Sequence, residues 1–448
     1  MKKRWIILMA ILVVISVMGL FAPEQPELWT VDSNVNNADV AWMITATIFV
    51  LMMTPGLSLF YGGMVRQKNV ISTILQSFIA MGVISIIWVV FGFSLAFGDD
   101  IGSFVGNPAT FFMFDGVGAK TDPLLAPTIP LALFALFQMK FAIITPSLIT
   151  GSFAERVRFS GYLVFMMLFC IFVYCPLAHW TWHPDGFLRQ MGVVDFAGGI
   201  VVHASSGVAA LAGAICLGKG TEQNSTHVPA NIPFVILGAA MLWLGWFGFN
   251  AGSSLAANGV AVKAFLNTNT ASATAMMAWV VFDCLRGRKP SAMGAAIGAV
   301  VGLVAITPSA GFVTVGESIF IALVTTIVCN VAVYWKNHTS VDDALDVFPT
   351  HGVGGILGTV LTGVFVHGLI DGHWDVFFIH ILAVIIVCVY TFVVTYALYW
   401  LTNKMIPMRV SANSERIGLD ISQHDEQYGM VEPERELAEY SEGEVSSK

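Results

Sequence analysis

The sequence predicts an all-α polytopic membrane protein with eleven transmembrane helices, a signal-like N-terminal segment, and two inverted five-helix repeats. Three observations predict it. Hydrophobic residues make up 56% of the 448 positions and charged residues only 11%. A soluble domain averages roughly 25% charged residues, so these charges cannot cover a water-facing surface, and the bilayer is the solvent that remains. The apolar residues fall in long runs whose connections are basic on alternate sides. A histidine recurs in matched surroundings in each half of the chain.

The N-terminal residues 1–22, MKKRWIILMAILVVISVMGLFA, join a basic start to an apolar run, the pattern of a secretory signal or of a marginal span. Pro23 follows Ala22 and makes that junction a poor cleavage point. In either case residue 30 is delivered to the outside. A membrane domain is expected over 30–402. Its eleven apolar runs lie near 40–61, 71–97, 128–150, 160–180, 197–217, 232–252, 260–282, 291–308, 313–335, 352–370 and 376–402. Period-2 alternation is absent and lipid forbids unpaired backbone, so helices are expected.

The connections test the count. Arg66 and Lys68, Arg156 and Arg158, Lys219, Arg286 with Arg288 and Lys289, Lys336, and Lys404 with Arg409 follow the odd-numbered runs. The other connections hold only Lys120, Arg189 and Lys263 among basic residues, and carry Asp99, Asp100, Asp122, Asp185, Asp371 and Asp375. This is positive-inside alternation without a break. It predicts a cell (cytoplasmic) membrane protein, mature N-terminus outside and C-terminus cytoplasmic. Residues 403–448 form a cytoplasmic tail in which acids from Glu415 to Glu444 dominate. Most of the net charge of −8 resides there. A solvated end is expected over 430–448, with GLDISQHDEQYGM (418–430) able to dock on the cytoplasmic face.

Cys170, Cys175, Cys216, Cys284, Cys329 and Cys388 all sit in apolar runs without CxxC spacing. They read as buried, inert thiols, not as a zinc site or disulfide framework. No metal and no cofactor is expected, and the charge pattern gives no reason to expect a nucleic-acid partner.

His203 lies in DFAGGIVVHASSG, eight residues after Asp195, and His351 lies in DALDVFPTHGVGG, eight residues after Asp343. Both stand near the start of Gly-rich runs, the fifth and the tenth. Two five-span halves have an odd number of crossings each, so the second is inverted, and a site is expected between them around a pore. A lone His in an apolar helix is more often a satisfied core residue. Within a bilayer, ionisable groups are costly and mark pathways, and two at symmetric places favour function. Gly199, Gly207, Gly213, Gly352, Gly354, Gly355, Gly358 and Gly363 let helices approach closely. With few carboxylates nearby, an imidazole pair that passes a proton or binds a small donor fits better than a metal cage.

Six segments, FYGGMVRQKN (60–69), FQMKFAIITPSLITGSFAERVRF (137–159), DFAGGIVVHASSGVAAL (195–211), GWFGFNAGS (245–253), FLNTNTASATA (265–275) and VDDALDVFPTHGVGGILGT (341–359), stand in an order that resembles the ammonium transporter (Amt/Mep/Rh) family, in its bacterial or archaeal Amt branch. The resemblance covers nearly all of the chain outside its two ends. It implies ammonium or ammonia, and methylammonium, as substrate. It implies Trp182, Phe137 and Ser253 as an external recruitment site that holds a small cation over aromatic faces. Phe141 and Phe249 match the rings that close the pore below, and His203 and His351 the twin histidines of the lumen. Asp195 matches the aspartate that holds the site's backbone and adds negative field. Read singly, each has a blander fate: packing for the phenylalanines, interfacial belt for Trp182, a helix-interface hydroxyl for Ser253, a cap for Asp195. Their joint fit to one pattern reverses that.

Two departures stand out. Lys140 lies inside FQMKF and is expected to point away from the lumen and to snorkel or pair. The Trp182-to-Asp195 spacing is one residue longer than the family pattern, with His183 and Pro184 in place of glycines. The expected mechanism is desolvation of ammonium in a narrow lumen, which favours release of its proton, followed by conduction past the histidine pair. Rival readings are an Rh-like neutral gas channel for ammonia or carbon dioxide and an ammonium sensor of the same fold. An intramembrane enzyme lacks its HExxH, GxSxG or paired aspartates. The resemblance also implies a homotrimer and a PII-class regulatory protein at the cytoplasmic face.

Overall fold

The computed structural model describes residues 2–20, 26–221 and 227–429. The solvated tail expected over 430–448 and the end of the signal-like segment at 21–22 lie outside them. After helix α1 (Lys2–Leu20), the body is built from α2 (Asn37–Met64), α3 (Gln67–Phe97), α4 (Leu131–Phe153), α5 (Phe159–Gln190), α6 (Gly199–Leu217) and α7 (Ile232–Ala251). Then come α8 (Gly259–Leu285), α9 (Ala292–Ile306), α10 (Val315–Lys336), α11 (Phe348–Asp371) and α12 (Trp374–Met405). A short α13 (Ala412–Ile417) follows. The one small sheet among the described residues pairs β1 (Asp100–Ile101) with β2 (Val105–Gly106), antiparallel.

Nine of these helices, among the described residues, are long and apolar enough to cross a membrane, so the chain is a multi-pass membrane protein. Two of the eleven expected runs are not among the nine. Helix α8 has 27 residues but carries Asn267, Thr268, Asn269, Thr270, Ser272 and Thr274, and α9 is apolar but has 15 residues. Of these polar residues, Asn267, Thr268 and Ser272 are buried, and Asn267 donates to the carbonyls of Ala310 and Val313 at 2.9 and 2.7 Å. Large apolar side chains such as Ile48, Phe78, Leu237, Val262, Phe378 and Val389 cover the outer surface, while Ser77, Ser147, Thr326, His203 and His351 are buried. That inversion of the soluble pattern is what lipid selects.

Helix starts are specified locally. Asn36 accepts from the Ala38 and Asp39 amides, Asn231 and Ser291 cap α7 and α9, and Thr314 and Glu317 form a capping box on α10. Small residues set two close crossings. Where α2 meets α7, a methyl group added to Gly238 would lie 2.4 Å from the Phe60 nitrogen and 2.5 Å from the Gly56 oxygen. Where α6 meets α11, one added to Gly207 would lie 2.1 Å from the Gly352 nitrogen.

The expectation that all six cysteines are buried is corrected. Cys170, Cys175 and Cys329 are buried, but Cys216 and Cys284 are exposed on the outer surface and Cys388 is intermediate. An apolar run does not say which helix face a thiol occupies, and lipid accepts a thiol as readily as a core does.

The segment after α12 folds back as a clasp. Arg409 grips Glu415 with two hydrogen bonds, 2.6 and 3.1 Å. The Asp420 carboxylate accepts from the Ile71 and Ser72 amides at 3.1 and 2.8 Å, at the first turn of the helix beginning at Val70. Gln423 accepts from the Phe159 amide and donates to the Val157 carbonyl. Tyr428 receives a hydrogen bond from Asn231 at 2.8 Å. The clasp therefore touches the connections that follow α2 and α4 and the start of α7.

Candidate functional site

Three of the candidate residues sit on π-helical turns: His203 in Gly199–Ala204, Phe249 in Phe247–Ala251 and His351 in Phe348–Gly352. Wider turns of this kind displace side chains from the regular helical stripe and recur at functional sites. The first is held open by Asp195. One carboxylate oxygen accepts from the Gly198 and Gly199 amides at 2.9 and 2.6 Å, and the other from Ile200 and Val201 at 2.9 and 3.3 Å. Gly198 makes this wrap possible at φ 119°, a left-handed conformation a side chain would strain. Asp343 plays a related part before the third turn, accepting from the Phe348 amide at 2.7 Å. Burial pushes its carboxyl up to about 6, with Asp346 adding to the rise and Lys336 opposing it.

A cavity of about 430 Å³ opens at the Asp195 end. Phe141, Trp182, Ser253 and Asp195 line it, together with Gln138 and Arg189. Trp182 donates from Nε1 to the Asp195 carbonyl at 3.0 Å, which fixes the indole edge-on to Phe141 at a centroid distance of 5.8 Å. The Ser253 hydroxyl donates to the Phe249 carbonyl at 2.9 Å, so its remaining lone pairs are acceptors. The helical turn that carries Trp182 ends at His183, whose ring stacks on His179 at 4.4 Å. His179 is in turn tied to Asp100 at 2.9 Å.

Phe137 differs from its expectation beside Trp182. It does not line this cavity. It is fully buried behind Phe141, at 4.9 Å between centroids, against the residue that follows α7, where a methyl group on Gly252 would strike its ring at 2.8 Å. One helical turn separates the two rings, and only Phe141 reaches the cavity wall. Phe141 in turn stacks on Phe249 at 4.2 Å with a 25° tilt, leaving no aqueous gap between them.

Beyond that stack stand the histidines. Phe249 and His203 are 5.9 Å apart, and His203 Nδ1 meets His351 Nδ1 at 3.3 Å. One proton between two imidazole nitrogens makes one ring the donor and the other the acceptor, so the outward Nε2 atoms of a neutral pair are one N–H and one bare lone pair. His203 Nε2 is buried without a hydrogen-bond partner among the described residues. Close approach of α6 and α11 produces this contact: a methyl on Gly355 would lie 2.6 Å from the Ala204 nitrogen and the Gly199 oxygen.

Two neighbours were not singled out in the sequence although both lie in or beside quoted segments. Trp246 stacks on His203 at 5.2 Å and donates to Thr307 at 2.9 Å, so it fixes the imidazole plane. Gln138 borders the cavity with its side-chain oxygen unpartnered among the described residues. A tryptophan flanked by Gly245 and a helical glutamine read as packing until a fold brings them to the histidine and to the cavity.

The described residues hold no group of three His, Cys, Asp or Glu arranged for a metal ion. The Ammonium Transporter Family model matches residues 41–428. The ammonium transporter of Bacillus subtilis is 42% identical over 398 residues, covering 87% of this chain and 97% of that one. Ammonium transporter Amt1 of Archaeoglobus fulgidus is 41% identical over 400 residues, 87% of this chain and 99% of that one. Both are named transporters, not enzymes. The solved structure of Saccharomyces cerevisiae Mep2 superposes with a TM-score of 0.82 at 34% identity, covering 90% of this chain and 93% of that one. The match begins in α2, takes in the ring stack and both histidines, and ends at the clasp: the chain belongs to the ammonium transporter family.

Proposed function

We propose that the chain transports ammonium across the cell membrane as ammonia and a separately handled proton. The observation that carries the reading is the 3.3 Å contact between His203 and His351 beneath the Phe141–Phe249 stack. Trp182, Phe141 and Ser253 recruit the cation in the outer cavity, with Phe137 supporting Phe141 from behind and Asp195 holding the backbone. The indole face and the Ser253 lone pairs suit an ion with four N–H donors. At the stack, hydration is lost and the charged form is disfavoured. The released ammonia passes the two Nε2 atoms, one donor and one acceptor, which complement its own lone pair and N–H groups. Potassium has no proton to release.

The same reading takes α8 and α9 as spans, making eleven. It takes α2–α6 and α7–α11 as inverted halves. The pairing of first helices at Gly56 and Gly238 and of fifth helices at Gly207 and Gly352 supports this, as do the two histidines on π-helical turns, each eight residues after an aspartate. The basic connections and the clasp share one end, which we assign to the cytoplasm with the Trp182 cavity outside. Residues 1–22 act as a signal-like segment. The reading includes a homotrimer and a PII-class partner at the clasp end, on the resemblance of the chain to its family.

Purified protein in liposomes, pulsed with ammonium and then potassium on a solid-supported membrane, tests the reading. An ammonium-specific current lost in the His203→Ala/His351→Ala variant supports a proton passing through the pair. An ammonium-driven internal pH change without current assigns neutral conduction, as in an Rh-like channel. Neither signal overturns transport and favours a sensor.

A further inference from the structure

Lys140, expected to point away from the lumen, does not border the Trp182 cavity. Another titratable side chain that the proposed mechanism leaves unused is tied directly to the cavity wall. His380, in α12, is fully buried, and both of its ring nitrogens are engaged. Nδ1 lies 2.8 Å from the carbonyl oxygen of Val376, one turn earlier in the helix. Nε2 lies 3.0 Å from the amide nitrogen of Val194.

A carbonyl only accepts and an amide N–H only donates, so these two contacts assign the ring. Nδ1 carries the proton and Nε2 presents its lone pair, which makes His380 a neutral imidazole in one tautomer. Helix α11 backs the ring closely at Gly363, where an added methyl group would lie 2.9 Å from the His380 Cβ and 3.0 Å from its Cγ.

Val194, Asp195 and Phe196 are successive residues of the cavity wall. Two other parts of the chain hold them. His380 accepts from the Val194 amide, and the Pro308 carbonyl accepts from the Phe196 amide at 3.0 Å. Asp195 stands between the two clamps. Its carboxylate bonds run to Gly198, Gly199, Ile200 and Val201, within its own turn, and travel with it. Its carbonyl differs: it receives Trp182 Nε1 across 13 positions at 3.0 Å, so it passes any shift of the wall on to the indole. We propose that His380 is a positioning residue of the recruitment site: by holding Val194 it sets the Asp195 carbonyl, and through that carbonyl the tilt of Trp182 against Phe141. The inference rests on the transport reading above. Without the imidazole acceptor a buried Val194 N–H is left unsatisfied, a costly state that the wall relieves by moving.

Concentration series of the ammonium current on a solid-supported membrane test this in wild type, His380→Leu, His380→Asn and His380→Gln, each eluting as wild type on gel filtration. Leu offers no acceptor and Asn ends at the Nδ1 position, so neither reaches Val194, and either one that folds serves. Gln extends to the Nε2 position and brings an amide oxygen to the Val194 N–H. In the Leu and Asn variants the half-saturating ammonium concentration should rise about 3- to 10-fold, inside the range a cation–π contact spans, with the current at saturation kept within about twofold. In His380→Gln it should return to the wild-type value. Adding His380→Leu to Trp182→Leu should raise it no further, because the effect passes through the indole.

An unchanged half-saturating concentration in the Leu and Asn variants overturns the proposal, even where the current at saturation falls, since that is what a merely structural role predicts. An equal rise in His380→Gln also overturns it, assigning the effect to packing. A further rise in the double variant overturns the route through Trp182. If the wild type gives no ammonium signal, the transport reading fails and the recruitment role of His380 with it, whereas failure in the variants alone leaves that reading standing.

Discussion

His203 and His351, 148 positions apart in the chain, share a hydrogen bond of 3.3 Å between their Nδ1 atoms. Two helices that turn at glycine bring them together, and the bond orders the protons of both rings. Replacing either imidazole removes the partner that fixes the other's tautomer. His203→Ala and His351→Ala should each lower the ammonium-evoked current at least about tenfold, by loss of a proton-handling group, and the double variant should do no worse than the more damaging single one. Solid-supported-membrane recordings check this, with near-additive losses counting against a shared proton.

Trp182 holds its edge to Phe141 through the bond to the Asp195 carbonyl. Trp182→Leu removes the aromatic face offered to the cation. The half-saturating ammonium concentration should rise by about 2- to 30-fold, the equivalent of ~0.5–2 kcal/mol, with the maximal rate less affected. Concentration series of the current read the two quantities separately.

Gly355→Ala places a methyl 2.6 Å from two backbone atoms of α6. Backbone cannot swing aside as a side chain can, so α6 and α11 must part. A destabilisation of about 1–3 kcal/mol or more is expected, seen as a lower midpoint of thermal unfolding by tryptophan fluorescence. Gly316→Ala, where an added methyl meets nothing within 4 Å, should leave the midpoint unchanged.

Burial works to raise the Glu415 carboxyl, but the Arg409 hydrogen bonds and the Thr221 amide outweigh it and hold it below its ordinary 4.5. A carboxyl lowered in the folded state contributes stability fully present above 4.5 and lost as pH falls through its lower folded value. Hydrogen exchange over 412–424 should therefore accelerate below about pH 4.5. Glu415→Gln should show faster exchange already at neutral pH, by the equivalent of ~1.5–3 kcal/mol for a charge-assisted pair, with this part of the pH dependence gone. Equal pH dependence in both proteins would count against the Arg409 pair as its source.

Runs and charges made the membrane body legible, because hydrocarbon imposes length and the connections record sidedness. The matched Asp–His spacing likewise pointed to both π-helical turns without revealing that they were π-helical. Other features depend on which face of a helix a residue occupies. Phe137 and Phe141 are alike in sequence, yet one backs the other and only one meets the cavity. Cys216 reads as Cys170 does and lies on the opposite kind of surface. Helix α8 shows how polar side chains with internal partners defeat a hydropathy measure. The grip of Asp420 on Ile71 and Ser72 spans some 350 positions, and no local pattern announces it.

That grip has a consequence for biogenesis. Asp420 follows α12, while Ile71 and Ser72 begin the helix after the first connection. The two can meet only if the number of intervening crossings is even, because one skipped crossing would leave them on opposite leaflets. Docking of 412–428 thus works as a checksum on membrane insertion. A misthreaded chain would present Leu419, buried in the clasp, to the quality-control proteases of the cell.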